Sequence, residues 1–197
     1  MTNTLSCGEP VARGQSGNGW TTTVDFQVLS WEPHAVLYRN FASLAECEHV
    51  KQLASARLAP SSLALRKGET AAATANIRTS SGTFLSRKED HGAGILERIE
   101  RRIADVTHVH YTHGEPFNVL RYELGQKYDS HYDTFDPASY GTQPSQRIAS
   151  FLLYLTDVEE GGETHFPLEG PGGLKRLAGI DYKSCNGGLH VKPRVGA

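Results

Sequence analysis

The chain has 197 residues and a mass of 21.5 kDa, with 38% hydrophobic and 21% charged positions; 20 Lys and Arg against 22 Asp and Glu give a net charge of −2. Single domains commonly run to about 100–200 residues, so this length predicts one domain with a sizeable core. The charge balance argues against a dedicated nucleic-acid or anionic-membrane binder, and the ordinary apolar content argues against wholesale disorder.

The N-terminal residues 1–23 are polar and glycine-rich, which predicts a flexible tail. They contain no apolar segment of the kind found in secretory signals, and no run in the chain approaches the roughly 18 apolar residues of a membrane span. Cys7, Cys47 and Cys185 are too few for a disulfide scaffold, although one bridge is compatible with their number.

The first predicted elements are a strand and a helix. Residues 24–31 alternate apolar and polar side chains, as a half-buried strand does. Ser43 and Glu46 have capping-box spacing, and the apolar stripe that follows predicts a helix to about Ala54. Residues 60–82 have no clear period and predict a long loop.

A second helix is predicted at 93–106, where isoleucines recur at helical spacing and Glu97 and Arg101 form an i,i+4 pair. The pattern then changes to strands, and the nearly all-apolar residues 148–155 predict a central strand covered on both faces. This order predicts an α+β fold with helices packed on a β-sandwich or barrel. The predicted later strands are 117–123, 127–133, 148–155 and 188–191.

The candidate site follows from two residues, His131 and Asp133. Side chains two apart on a strand point to the same side, so the imidazole and the carboxylate project together. One imidazole and one carboxylate are two parts of the 2-His-1-carboxylate triad, which holds non-haem Fe(II) and leaves coordination positions open.

Collinear motifs surround this pair: LSW at 29–31, RTSSG at 78–82, IERRIA at 99–104, YELGQKY at 122–128, RIA at 147–149, YL at 154–155 and DVEEGGET at 157–164. With these motifs the chain resembles the prolyl 4-hydroxylase family of Fe(II)- and 2-oxoglutarate-dependent dioxygenases, most closely the plant and algal enzymes. The resemblance implies a double-stranded β-helix, or jelly-roll, core with flanking N-terminal helices over residues 24–197.

By this resemblance, His131 and Asp133 correspond to the first two iron ligands. Tyr122 corresponds to the tyrosine whose hydroxyl helps hold 2-oxoglutarate, and Thr164 lies near the same co-substrate. The implied peptide groove is lined by Arg78, Ser80, Glu115, Tyr128 and Arg147. Such a groove suits a proline-rich ligand, which arrives as a preformed polyproline II helix.

Beyond the equivalent of residues 191–194, the family pattern continues with a distal iron-binding histidine and a lysine that pairs with the distal carboxylate of 2-oxoglutarate. This sequence reads Val195-Gly196-Ala197 there, so we expect a jelly-roll without its last strands and an open sheet edge that a partner chain can pair with. Other residues offer weaker substitutes for the missing imidazole and cation: His165, His190, the cluster His108, His110 and His113, and the cations Lys192 and Arg194.

The resemblance implies peptidyl-proline 4-hydroxylation coupled to oxidative decarboxylation of 2-oxoglutarate to succinate, with O₂ as the oxidant and ascorbate as rescuing reductant. The alternative is a catalytically inactive homologue that binds proline-rich peptides or pairs with an active subunit, and the missing residues favour it for these 197 residues. The family implies the endoplasmic reticulum or Golgi, whereas the lack of a visible signal or anchor leaves the cytosol open.

Overall fold

The computed structural model of the protein describes residues 3–6, 23–176, 179 and 187–197. The chain divides into two compact units, of which the first comprises residues 1–47 and 153–197 and the second comprises residues 48–152. The described residues combine antiparallel sheets with a few helices, as the predicted α+β class requires.

The first unit contains an antiparallel sheet of three strands in the order β1 (Asn3–Ser6), β2 (Thr23–Trp31) and β3 (His34–Tyr38). The predicted strand at 24–31 is therefore confirmed. The prediction of a flexible tail over residues 1–23 is wrong for β1, because its backbone pairs with β2. The rest of that predicted tail, up to residue 22, lies outside the described residues.

A second antiparallel pair in this unit joins β7 (Thr164–Phe166) to β8 (Leu189–Val191). The strand predicted at 188–191 is confirmed as β8. A four-residue helix, α5 (Gly173–Arg176), lies between β7 and β8 in the sequence. Gly196 lies so close to Ala42 that a Cβ there would be 2.3 Å from the Ala42 carbonyl oxygen. This contact, at a φ of +78°, requires glycine.

Helix α1 (Leu44–Ser55) begins where the capping box predicts. The Glu46 carboxylate accepts a hydrogen bond from the Ser43 backbone N–H at 2.8 Å, and the Glu46 N–H donates to the Ser43 hydroxyl at 3.2 Å. These bonds satisfy donors that the start of a helix leaves open. Cys47 is buried, while Cys7 and Cys185 lie outside the described residues.

In the second unit, a three-stranded antiparallel sheet has the order β4, β5, β6, with bounds Ala59–Pro60, Ser81–Leu85 and Phe117–Arg121. Its helices are α2 (Ala71–Thr74), α3 (Ile95–Thr107) and α4 (Pro137–Tyr140). The helix predicted at 93–106 is confirmed as α3. The fully buried side chains of this unit are those of Leu85, Leu96 and Ile99.

Asp90 connects the first turn of α3 to α1. Its Oδ2 accepts a hydrogen bond from the Leu96 backbone N–H at 3.1 Å, and its Oδ1 lies 2.6 Å from Nε2 of His49 on α1. The carboxylate is only 4% exposed, yet both of its oxygens have partners. A negative charge at a helix N-terminus is also favoured by the helix dipole.

Two predicted strands are wrong. Residues 127–133 make a single β-bridge, between Tyr128 and Arg78, and the chain bends at Asp133. Residues 148–155 form no ladder, and Ile148 and Leu152 are 83% and 55% exposed rather than covered. Apolar composition identifies a segment able to form a central strand, but a strand also needs neighbouring backbones to pair with. Among the described residues, the backbone of this segment is paired at Tyr154 with residues 196 and 197.

None of the helices in the described part of the chain is both long enough and apolar enough to cross a bilayer.

Replacing Asp90 by alanine leaves the Leu96 N–H and the His49 imidazole without their buried acceptor. We expect Asp90→Ala to lower the free energy of unfolding by about 2 kcal/mol, measured by chemical denaturation. Asp105→Ala, near the C-terminal end of the same helix, is the matched control and is expected to stay within about 0.5 kcal/mol of the parent. Equal stability of the two variants would contradict the role assigned to Asp90.

Candidate active site

The segment that carries His131 and Asp133 is fixed by backbone bonds to residues 77–79. The Asp129 N–H donates to the Ile77 carbonyl at 2.9 Å, and the Thr79 N–H donates to the Lys127 carbonyl at 3.0 Å. The Thr79 hydroxyl also accepts from the Lys127 N–H at 2.9 Å. These bonds hold the backbone extended up to His131 without a regular ladder.

The side chains of His131 and Asp133 meet just beyond these bonds, where the chain bends at Asp133. Nε2 of His131 is 3.3 Å from Oδ1 of Asp133, and both side chains are about two-fifths exposed, at 40% and 43%. The carbonyl of Asp129 lies 2.8 Å from Nδ1 of His131. Since a carbonyl only accepts, Nδ1 carries a hydrogen and Nε2 is the nitrogen presented to Asp133.

The two groups favour each other's charged form. The hydrogen bond to Asp133 raises the pKa of His131 above its usual value, although partial burial opposes this. The hydrogen bond from His131 lowers the pKa of Asp133 to about 2, with the Ser150 hydroxyl lowering it further. The protonated imidazole carries a hydrogen on Nε2, so a metal ion binds there only by displacing it.

This donor set fits a divalent metal ion. An imidazole whose Nδ1–H is held by a carbonyl, next to a carboxylate, is the arrangement that proteins use for metal-binding histidines. Fe(II) accepts this combination of nitrogen and oxygen ligands. Across the described ranges, no group of three or more His, Cys, Asp or Glu side chains gathers at one point, and the candidate ligands here are the two side chains of His131 and Asp133.

Ser150 is a site residue that the sequence analysis missed. Its hydroxyl donates a hydrogen bond to Oδ2 of Asp133, while Oδ1 faces His131. The hydroxyl therefore fixes the rotation of the carboxylate. In the sequence, Ser150 stands out because it is the one polar residue in the apolar run at 148–155, apart from the phenol of Tyr154.

Tyr128 lies between an imidazole and a guanidinium. Its ring stacks on that of His131 with centroids 3.8 Å apart and an angle of 21°, and Cζ of Arg78 is 4.6 Å from its centroid. Burial raises the pKa of the Tyr128 phenol. Nε of Arg78 donates to the Ser80 hydroxyl at 3.3 Å. Three of the predicted groove residues are thus brought to the predicted iron ligand.

Arg147 and Glu115 form a two-pronged ion pair across 32 residues of chain. Nε and Nη2 of Arg147 donate to the two carboxylate oxygens at 2.7 and 2.8 Å. Each partner shifts the pKa of the other, raising that of Arg147 and lowering that of Glu115. Nη1 of Arg147 is 3.5 Å from the Asp133 carbonyl oxygen, which places this pair beside the candidate metal ligands.

The remaining candidate residues are Tyr122, Thr164, Lys192 and Arg194. Tyr122 directly follows β6 and is 44% exposed. Thr164 begins β7 in the other compact unit, where its hydroxyl accepts a hydrogen bond from the Tyr154 hydroxyl at 2.7 Å. Lys192 donates to the Glu159 carbonyl at 2.6 Å, and Arg194 is exposed.

The three histidines considered as weaker substitutes do not lie on a strand. His108 is the C-cap of α3, His110 precedes a short 3₁₀ helix and His113 lies within it. His165 and His190 instead lie opposite each other on β7 and β8.

The chain has relatives among known proteins. Residues 117–196 match the model of the 2OG-Fe(II) oxygenase superfamily. The chain is 56% identical over 183 residues to probable prolyl 4-hydroxylase 9 of Arabidopsis thaliana, an alignment that covers 93% of this chain and 62% of that protein. Prolyl 4-hydroxylase 13 of the same plant is 47% identical, over 89% of this chain and 61% of its own length.

Probable prolyl 4-hydroxylase 3 of Arabidopsis thaliana is 43% identical, over 93% of this chain and 61% of that protein. The chain thus spans about three-fifths of the length of these relatives. The superfamily match and the identities of up to 56% make this sequence similar to the plant prolyl 4-hydroxylases.

Proposed function

We propose that the protein takes part in 4-hydroxylation of peptidyl proline, coupled to oxidative decarboxylation of 2-oxoglutarate to succinate. The observation that carries the proposal is the convergence of the His131 imidazole and the Asp133 carboxylate, 3.3 Å apart, in a sequence similar to the plant prolyl 4-hydroxylases. The chain spans about three-fifths of the length of its relatives, so we propose for this chain the activity of those longer proteins.

In this proposal Nε2 of His131 and Oδ1 of Asp133 hold Fe(II). When bound, iron supplies the activation of O₂ that side chains alone do not provide. The Asp129 carbonyl keeps the His131 ring in the tautomer that presents Nε2, and the Ser150 hydroxyl keeps Oδ1 of Asp133 turned toward the same point. The superfamily match supports a jelly-roll as the framework around these residues.

The peptide substrate is proposed to lie against Tyr128, Arg78, Ser80, Arg147 and Glu115. The stacked Tyr128 ring provides a flat apolar surface beside the metal ligands, on which a polyproline II helix docks without losing much conformational entropy. The Arg147–Glu115 pair supplies a donor and an acceptor of fixed direction for the peptide backbone. Tyr122 and Thr164 are proposed to bind 2-oxoglutarate.

Three further elements of the proposal rest on the family resemblance. Ascorbate serves as the reductant that restores ferrous iron. The compartment is the endoplasmic reticulum or Golgi. A partner chain pairs with an open sheet edge, and the exposed side chains of Ile148 and Leu152 add apolar contact surface.

The direct test supplies the chain with Fe(II), 2-oxoglutarate, ascorbate and a proline-rich peptide. We expect mass spectrometry to find one added oxygen on proline for each succinate released, and Asp133→Ala to abolish both because it removes the carboxylate ligand. Asp105→Ala, on α3, is the matched control and should keep the parent rate. Peptide binding without turnover would overturn the proposed activity for this chain and support a peptide-binding homologue instead.

The role of Ser150 is testable without turnover. Loss of its hydroxyl frees Oδ2 of Asp133, so we expect Ser150→Ala to weaken the metal-binding event that Asp133→Ala removes by about 10–100-fold, measured by calorimetric titration with Co²⁺. Ser150→Thr keeps a hydroxyl at the same position and should restore most of the affinity. Unchanged Co²⁺ affinity in Ser150→Ala would show that the hydroxyl does not position the carboxylate.

A further inference from the structure

Two histidines outside the candidate active site form a cross-strand pair on β7 and β8. His165 and His190 are directly opposite in the antiparallel register, so their side chains leave the same face of the two-stranded sheet. Their rings are stacked with centroids 4.0 Å apart and an angle of 12° between the planes. Neighbouring side chains on such a pair are close enough to bind one ion.

Both rings direct the same nitrogen at the same oxygen. Nε2 of His165 is 3.1 Å and Nε2 of His190 is 2.9 Å from the carbonyl oxygen of Gly187. A backbone carbonyl has two lone pairs, so it accepts one N–H from each ring. Two imidazole nitrogens and one carbonyl oxygen therefore form a compact set of three potential metal donors.

Gly188 permits the close approach of the backbone to the imidazole of His165. A Cβ on Gly188 would lie 2.8 Å from Nε2 of His165 and 2.6 Å from the Phe166 carbonyl oxygen. The residue also has a φ of +76°, which side chains other than glycine rarely adopt. Glycine at this position lets the chain pass directly against the imidazoles and so brings the Gly187 carbonyl to both rings.

The chemistry of these donors favours certain metals. Imidazole nitrogen is a ligand that suits Zn²⁺, Cu²⁺ and Ni²⁺. Tetragonal sites with nitrogen and oxygen donors are typical of Cu²⁺ and Ni²⁺.

We propose that His165, His190 and the Gly187 carbonyl form a binding site for a divalent ion of tetragonal preference, Cu²⁺ or Ni²⁺, with water completing its coordination. Each neutral imidazole then carries its hydrogen on Nδ1, so that Nε2 presents a lone pair to the metal. Because a metal ion lies in the plane of the ring that binds it, binding turns the two rings out of their stack. The site is separate from the proposed iron ligands and does not depend on the proposed hydroxylase activity.

The test is calorimetric titration of the full chain with Ni²⁺. We expect a binding event that is kept in His131→Ala, which removes the candidate iron ligand, and in His110→Ala, a surface control. His165→Ala and His190→Ala are each expected to weaken it at least tenfold, because each removes one of three donors. Equal Ni²⁺ affinity in these two variants and the controls, or loss of the event in His131→Ala, would overturn the proposal.

A second readout distinguishes loss of a ligand from loss of folding. Electron paramagnetic resonance of the Cu²⁺-loaded chain in the His131→Ala background should show coupling to two imidazole nitrogens. Each single variant, His165→Ala or His190→Ala, should reduce this to one imidazole while the far-ultraviolet circular dichroism stays unchanged. Two coupled imidazoles in either single variant would place the metal elsewhere.

Discussion

The contact between the His131 imidazole and the Asp133 carboxylate is the interaction on which the account of this protein rests. The two residues lie where the chain leaves its backbone bonds to residues 77–79 and bends at Asp133. Two hydrogen bonds fix the orientation of these two side chains. Nδ1 of His131 donates to the Asp129 carbonyl, and the Ser150 hydroxyl donates to Oδ2 of Asp133. Without these bonds an exposed histidine and aspartate would sample several rotamers, and ordering them would reduce the free energy of metal binding.

The surroundings connect this pair to a surface suited to a peptide. Tyr128 stacks on the ring of His131, and Arg147, held by Glu115, lies beside the Asp133 backbone. The groups proposed to bind the peptide are therefore in contact with the groups proposed to bind iron. This proximity is what a reaction at a peptide side chain requires, since effective catalysis depends on holding the reacting groups at close range.

The sequence predicted what local rules determine. Helices α1 and α3 follow from apolar periodicity, with the Ser43–Glu46 capping box marking the start of α1, and the His131–Asp133 pair follows from a spacing of two residues. Contacts between distant parts of the chain were not predictable in this way. The Ser150–Asp133 bond spans 17 residues, and the two strands predicted wrongly, at 127–133 and 148–155, depend on backbone partners that the pattern of a single segment does not specify.

The most direct test of the His131–Asp133 site is nitrogen NMR of the chain with ¹⁵N-labelled histidine, titrated with Zn²⁺ as a diamagnetic substitute for iron. The account predicts that the Nε2 resonance of His131 moves on metal binding while its Nδ1 keeps its hydrogen, and that Asp133→Ala removes this change. A His131 signal that does not respond to metal while other histidines do would contradict the central claim.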